Sequence, residues 1–252
     1  MSHWYNKAGE AVFEVPKVKG GMRKTTIADA RKMGLYPSVT TVLGILDKPQ
    51  LGDWKLEQMA LAAFNSPANG SEPFEVYHQH LLTKAFEQVS DAADLGTAIH
   101  AALESHFQGQ PIEAGMDTYV EPVARLIERE GISFNEHELR LVNAQVGYAG
   151  TTDAVITRAG QTGILDFKSR KTKPGVACTP WETEPMQIAA YAKAKFGTLD
   201  GIVGANVYIS TTEAGRIEIV TYTSDELWEA WNAFVASAML WQYLKGYRPG
   251  IE

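Results

Sequence analysis

The chain has 252 residues, enough to bury a real core, and its 45% apolar share is ordinary for a globular protein. No segment reaches the roughly 20 consecutive apolar residues of a membrane span, and the opening Met1-Ser-His-Trp-Tyr5 has neither an apolar signal core nor an Arg-rich transit pattern, so a cytoplasmic protein is expected. A net charge of −7 argues against a broadly basic nucleic-acid surface but leaves room for a confined basic channel, and the single Cys178 excludes an internal disulfide.

In chain order, residues 1–36 read as irregular, with short strands and a Gly20-Gly21 break. Lys17, Lys19, Arg23 and Lys24 cluster around that break and suggest a basic arm. Ser38, after Pro37, caps a short helix over 39–46. An Ala/Leu-rich helix containing Trp54 is predicted over 51–64, then a loop over 65–73. Helices follow over 74–89, 91–108 and 117–130, and strands over 133–142, 146–157 and 162–168. A loop with Pro174, Gly175 and Pro180 leads to a helix over 183–196, strands over 202–210 and 215–222, and a closing helix over 225–245. Trp228, Trp231, Phe234 and Trp241 on that last helix are read as core. The order predicts an α/β sandwich with a mixed sheet.

The chemistry concentrates in Gly150-Thr-Thr-Asp153 and Ile164-Leu-Asp166-Phe-Lys168, two strands separated by Arg158-Ala-Gly160-Gln161. An even hairpin loop at Ala159-Gly160 pairs residues whose numbers sum to 319, setting Asp153 opposite Asp166. Side chains two apart on a strand share a face, so Lys168 joins them and Phe167 points away. An odd loop would instead place Asp153 on the wrong face unless a bulge corrected it. Like charges opposite each other repel, and a cation between them resolves the conflict. Two carboxylates with no cysteine nearby suit Mg²⁺ or Mn²⁺ better than zinc. A lysine beside such a metal can stabilise charge on a phosphoryl group or orient water, which makes a phosphodiester-hydrolysing centre. Beside it, Arg170, Lys171 and Lys173 are placed to contact phosphates. Glu138, on the strand over 134–142, is a further acidic candidate.

These residues resemble the PD-(D/E)XK nuclease superfamily, in particular its RecB-type branch. Four motifs occur in the branch's order: Gly96-Thr-Ala-Ile-His100, Gly150-Thr-Thr-Asp153, Asp166-Phe-Lys168 and Gln187-Ile-Ala-Ala-Tyr191. Tyr36-Pro-Ser-Val-Thr-Thr-Val-Leu-Gly44 also looks like the start of phage-type members. The resemblance covers about residues 36–191, with a tail of the same fold to about 245. It implies that His100, Asp153 and Asp166 ligate metal with the backbone carbonyl of Phe167, and that Lys168 acts on the scissile phosphate and the water. It also implies that Gln187 and Tyr191 shape the site or touch the nucleic-acid backbone. Gln187 and Tyr191, four apart, share a helix face, and so do His100 and Glu104, whose carboxylate would orient the imidazole. Asp166 stands where the family more commonly has Glu. Iron–sulfur members need four cysteines; with one, this chain carries no such cluster and is closer to cluster-free phage and mitochondrial exonucleases.

The resulting expectation is a PD-(D/E)XK core over 92–252, with a mixed central β-sheet flanked by helices, and an N-terminal arm and helical extension over 1–91. The expected activity is Mg²⁺- or Mn²⁺-dependent hydrolysis of DNA, as an exonuclease in phage or bacterial recombination, repair or replication. The alternatives are a structure-specific endonuclease, a hydrolase of small phosphate compounds, and a non-catalytic DNA-binding or assembly subunit on the same fold. Expected partners are single-stranded DNA or duplex ends and recombination or replication proteins, in a bacterial or phage-infected cell, with room for a homo-oligomer and no membrane.

Overall fold

The computed structural model describes residues 3–47, 49–68 and 70–250, side chains 49–51 and 87–93 excepted. Its strands are β1 (Trp4–Tyr5), β2 (Glu14–Pro16), β3 (Met22–Lys24), β4 (Tyr36–Pro37), β5 (Ile132–Asn143), β6 (Tyr148–Arg158), β7 (Gln161–Arg170), β8 (Val203–Ser210) and β9 (Ile217–Tyr222). The helices are α1 (Ile27–Met33), α2 (Val39–Leu43), α3 (Pro49–Asn65), α4 (Phe74–Phe107), α5 (Asp117–Arg129), α6 (Thr183–Phe196) and α7 (Ser224–Lys245).

Two compact units divide the chain. One is Asp47–Ala101, and the other joins Met1–Leu46 to Ala102–Glu252. In the smaller unit Ala62 of α3 packs with Leu81 and Ala85 of α4, and Tyr77 Oη donates to the Ser66 carbonyl at 2.8 Å. One continuous α4 replaces the two helices expected over 74–89 and 91–108. Ser90-Asp91 resembles a cap in sequence, but with no proline or glycine there nothing obliges the helix to end.

The larger unit is built on a five-stranded sheet in the order β5-β6-β7-β8-β9. All neighbours are antiparallel except β7 and β8, which are parallel. A parallel pair needs a crossover, and α6 supplies it. The sheet is therefore mixed and flanked by helices, as the sequence predicts. Ile188, Ala189 and Tyr191 of α6, with Leu227, Phe234 and Trp241 of α7, pack on Tyr148, Val155 and Ile164. Gly204 lets α6 approach closely, since a Cβ there would stand 2.6 Å from Ile188.

Residues 3–46 belong to this unit. Trp4, Leu35, Val39 and Val42 are part of its core, and Trp4 stands 6.1 Å from Trp241 in a tilted ring pair. The segment contains α1, where Thr26 and Asp29 form a capping box. It also contains β2 and β3, an antiparallel hairpin around Gly20-Gly21.

Candidate active site

The site begins in the β6–β7 hairpin. Arg158 pairs with Gln161 across Ala159 (φ 49°) and Gly160 (φ 80°), the two left-handed residues that a two-residue type I′ turn requires. Pairing runs in that register to Ala154 opposite Leu165. One further step in that register would set Asp153 across from Asp166, but the regular pairing ends at Ala154 and Leu165. There the ladder changes. The Phe167 N–H donates to Asp153 Oδ2 at 2.6 Å. On its other side, β6 pairs with β5 at Ala154 and Thr152 but skips Asp153 together with Glu138, which takes a φ of 44°. Pairing resumes in the same register on either side of this break, and the register shift in β5 falls earlier, between Phe134 and Glu136.

Asp166 is 3% exposed, and its carboxylate forms an ion pair with Lys168, two residues along β7. Lys168 Nζ also donates to Gln187 Oε1 at 3.0 Å, and Gln187 Nε2 donates to Tyr191 Oη at 3.1 Å. Tyr191 is buried directly over Gly150, where a Cβ would lie 2.6 Å from its ring. The four-residue spacing of Gln187 and Tyr191 thus presents both to the strands carrying the charges. Three of the four sequence motifs meet in one hydrogen-bonded cluster.

Burial by itself would lower the Lys168 pKa. The charge and ion pair of Asp166, then the charges of Asp153 and Glu184, outweigh it and hold the ammonium above the ordinary lysine value. Burial and the charge of Asp166 push the Tyr191 hydroxyl far up, against the hydrogen bond with Gln187. At neutral pH the cluster therefore holds a protonated Lys168 and a neutral Tyr191.

Sequence reading missed Glu184. It lies one turn before Gln187 on α6, so the same i, i+3 face pointed to it. Its carboxylate is buried and accepts from Arg170 Nη2 at 2.5 Å, Tyr208 Oη at 2.6 Å and the Trp181 N–H at 2.9 Å. Arg170 also donates to the Thr179 carbonyl at 2.7 Å, and its guanidinium lies over the rings of Trp181 and Tyr208. Arg170 is thus committed inside the fold.

Lys171 and Lys173 are exposed on the loop after β7. That loop is braced by Arg216 on the Lys173 carbonyl at 2.8 Å and by Glu218 on the Cys178 N–H at 2.8 Å. Glu138 is exposed, and Glu136 pairs with Lys195 of α6. The ring of Phe167 faces away from the carboxylates, parallel to that of Phe107 at 6.4 Å. Glu104 accepts from Gln108 Nε2 at 3.0 Å. His100 lies on α4 within the smaller unit.

Asp153 and Asp166 give an all-oxygen donor pair beside one ammonium. Among the described residues no group of three or more His, Cys, Asp or Glu side chains is gathered to hold a metal ion. The donor set fits a hard cation of the magnesium type, which binds through one or two carboxylates and keeps its remaining positions for water and phosphate oxygens. It does not fit a closed zinc cage. Among the described residues no helix is long and apolar enough to cross a membrane.

No protein-family profile matches the chain, and no curated protein does either. Among solved structures it is similar to a protein described as a candidate exonuclease from Eubacterium rectale, at 14% identity over 82% of this chain and 88% of that one, with a TM-score of 0.44. It is also similar to the protein SSO0001, at 16% identity over 80% and 89% of the two chains, with a TM-score of 0.36. Likenesses this distant decide neither family nor activity.

Proposed function

We propose that the chain is a metal-dependent DNA nuclease of the PD-(D/E)XK, RecB-like type, acting as an exonuclease. The observation that supports this reading most is the convergence of Asp153, Asp166, Lys168, Gln187 and Tyr191, from two strands and a helix, on one cluster. Asp153 and Asp166, with the Phe167 carbonyl, would hold Mg²⁺ or Mn²⁺; His100 enters the reading on its sequence motif alone. A bound divalent ion supplies a polarised phosphate and a more acidic water. Lys168, kept protonated by its acidic neighbours, places its charge where negative charge grows on the phosphoryl oxygens. Gln187 holds the Lys168 ammonium in place, and Tyr191 holds Gln187. Lys171 and Lys173, on their braced loop, would take up neighbouring phosphates. The preference for an exonuclease rests on the motif resemblance and on the net charge of −7, which disfavours binding along long duplexes.

End-labelled linear DNA and covalently closed circles, each single- and double-stranded, test the reading with Mg²⁺, Mn²⁺ or EDTA. The expected result is metal-dependent loss of linear DNA alone, abolished by Lys168→Ala and Asp166→Asn with the fold retained. Nicked circles would make it an endonuclease. Near-normal cleavage by both variants would overturn the site, and no cleavage of any DNA would favour a binding subunit.

A further inference from the structure

We propose that the β2–β3 hairpin is a nucleic-acid contact element beside the candidate site, with Lys17 and Lys19 on phosphates and Val18 against an exposed base. This rests on the nuclease reading and adds to it a substrate-binding surface outside the four motifs.

Residues 17–24 hold four basic side chains and no acidic one, in a chain whose net charge is −7. Every residue from Pro16 to Lys24 is exposed. Val18 has its whole side chain in solvent at 106% exposure, and Met22 is 51% exposed. One exposed valine is unremarkable by itself. An apolar tip flanked by lysines is the composition that proteins set against nucleic acid, with cations on phosphates and an apolar group against a base.

The hairpin is rooted, not loose. Gly20 and Gly21 have φ of 88° and 79°, and the Lys17 N–H closes the turn on the Gly21 carbonyl at 2.9 Å. Val15 is buried, and the Thr25 N–H donates to the Phe13 carbonyl at 2.9 Å. Arg23 is held by both oxygens of Asp29, at 2.6 and 2.7 Å. That fork makes Arg23 a brace; Lys24 lies at the root beside it, and Lys17 and Lys19 are the basic groups at the tip.

The root also leads to the site. Phe13 meets Tyr5 edge-on with ring centres 5.5 Å apart, and Tyr5 Oη lies 3.2 Å from Thr151 Oγ1. Thr151 is two residues before Asp153 on β6. The base of the hairpin is thus joined through Phe13 and Tyr5 to the strand that carries Asp153. A membrane is the weaker partner, because one valine and one methionine offer little of the apolar area that interfacial anchoring needs.

Fluorescence anisotropy of a labelled short blunt duplex and a labelled single strand, with the full chain in EDTA over a series of salt concentrations, tests this. Lys17→Glu/Lys19→Glu should weaken binding at least tenfold. Lys17→Ala/Lys19→Ala should reduce the slope of log affinity against log salt by about 1.8 on the duplex, at about 0.9 for each phosphate no longer neutralised. Val18→Ser should weaken binding several-fold and leave the slope unchanged. Cleavage by the wild type together with unchanged affinity and slope in all three variants overturns the hairpin and spares the nuclease reading. Loss of both cleavage and binding in the wild type overturns both. Sedimentation with phosphatidylserine vesicles that depends on Lys17 and Lys19, with DNA affinity unchanged, would make the hairpin a membrane contact and also overturn the proposal.

Discussion

The Asp153 carboxylate takes the Phe167 N–H at 2.6 Å, one step beyond the last regular pair of β6 and β7. A side chain thus does the work of a backbone acceptor at the point where the proposed metal ligand must leave the ladder. Asp153→Asn keeps an oxygen for that N–H and removes the charge, whereas Asp153→Ala takes the side-chain acceptor away from a part-buried donor. Urea denaturation should place Asp153→Asn within about 1 kcal/mol of the wild type and Asp153→Ala about 1–3 kcal/mol below it. Both should lack cleavage. Equal stability of the two variants would show that the Phe167 N–H does not depend on this carboxylate.

Lys168 already serves as counter-ion to Asp166 and Asp153, so an entering divalent cation must compete with it. Without DNA, Lys168→Met should bind Mn²⁺ about tenfold more tightly, or better, since a positive charge beside the carboxylates has been removed. Calorimetric titration checks this. Weaker binding by Lys168→Met would mean that ammonium and metal do not share the carboxylates.

The same ion pair has a pH signature. A lysine whose folded value is raised stabilises the protein fully below its unfolded value and loses that contribution as pH climbs through the folded one. The wild-type advantage over Lys168→Met in denaturant midpoint should therefore be flat from neutrality to the ordinary lysine value of 10.5 and shrink above it. An advantage that already shrinks near pH 8, far below that value, would contradict the raised pKa.

What the sequence disclosed and what it hid divide along contact range. The register of β6 and β7 followed from two turn residues and a sum of 319, and the face shared by Gln187 and Tyr191 from a spacing of four. These are local rules. The irregularity at Glu138 and Asp153 has no local sign, because it depends on the partner strand. The place of Trp4 and Leu35 in the main core was equally hidden: their partners lie on α7 and near its end, some 200 residues away. Arg170 shows the consequence for chemistry. In sequence it stands in a basic run beside the site and looks free for phosphate, while Glu184, Trp181 and Tyr208, which enclose it, arrive from two other segments.

Arg170 should accordingly behave as a structural residue. Its ion pair with Glu184 is largely buried, with side-chain exposures of 16% and 6%. Arg170→Ala would leave that carboxylate without its cation, at a cost of about 3–5 kcal/mol. Arg170→Lys should recover only part of it, because the fork to Glu184 and Thr179 and the stacking on two rings need the guanidinium plane. Adding Glu184→Gln to Arg170→Ala should restore stability by removing the stranded charge. A fully stable Arg170→Ala with weakened DNA binding would return Arg170 to the phosphate contacts.

Gly150 and Tyr191 offer the sharpest packing test. A Cβ on Gly150 would sit 2.6 Å from Tyr191 Cε1, closer than real Cβ atoms approach anything, and the ring is buried with its hydroxyl tied to Gln187. Gly150→Ala should push the ring aside, cost about 1–3 kcal/mol as an overpacked site, and slow cleavage by disturbing Gln187 and through it Lys168. Tyr191→Ala removes the clash along with the ring, so Gly150→Ala made in that background should cost little. The double-mutant cycle should then show a coupling of about 0.5–3 kcal/mol. Additive costs would mean that the ring yields freely, and Tyr191 would not be the element that holds Gln187 against Lys168.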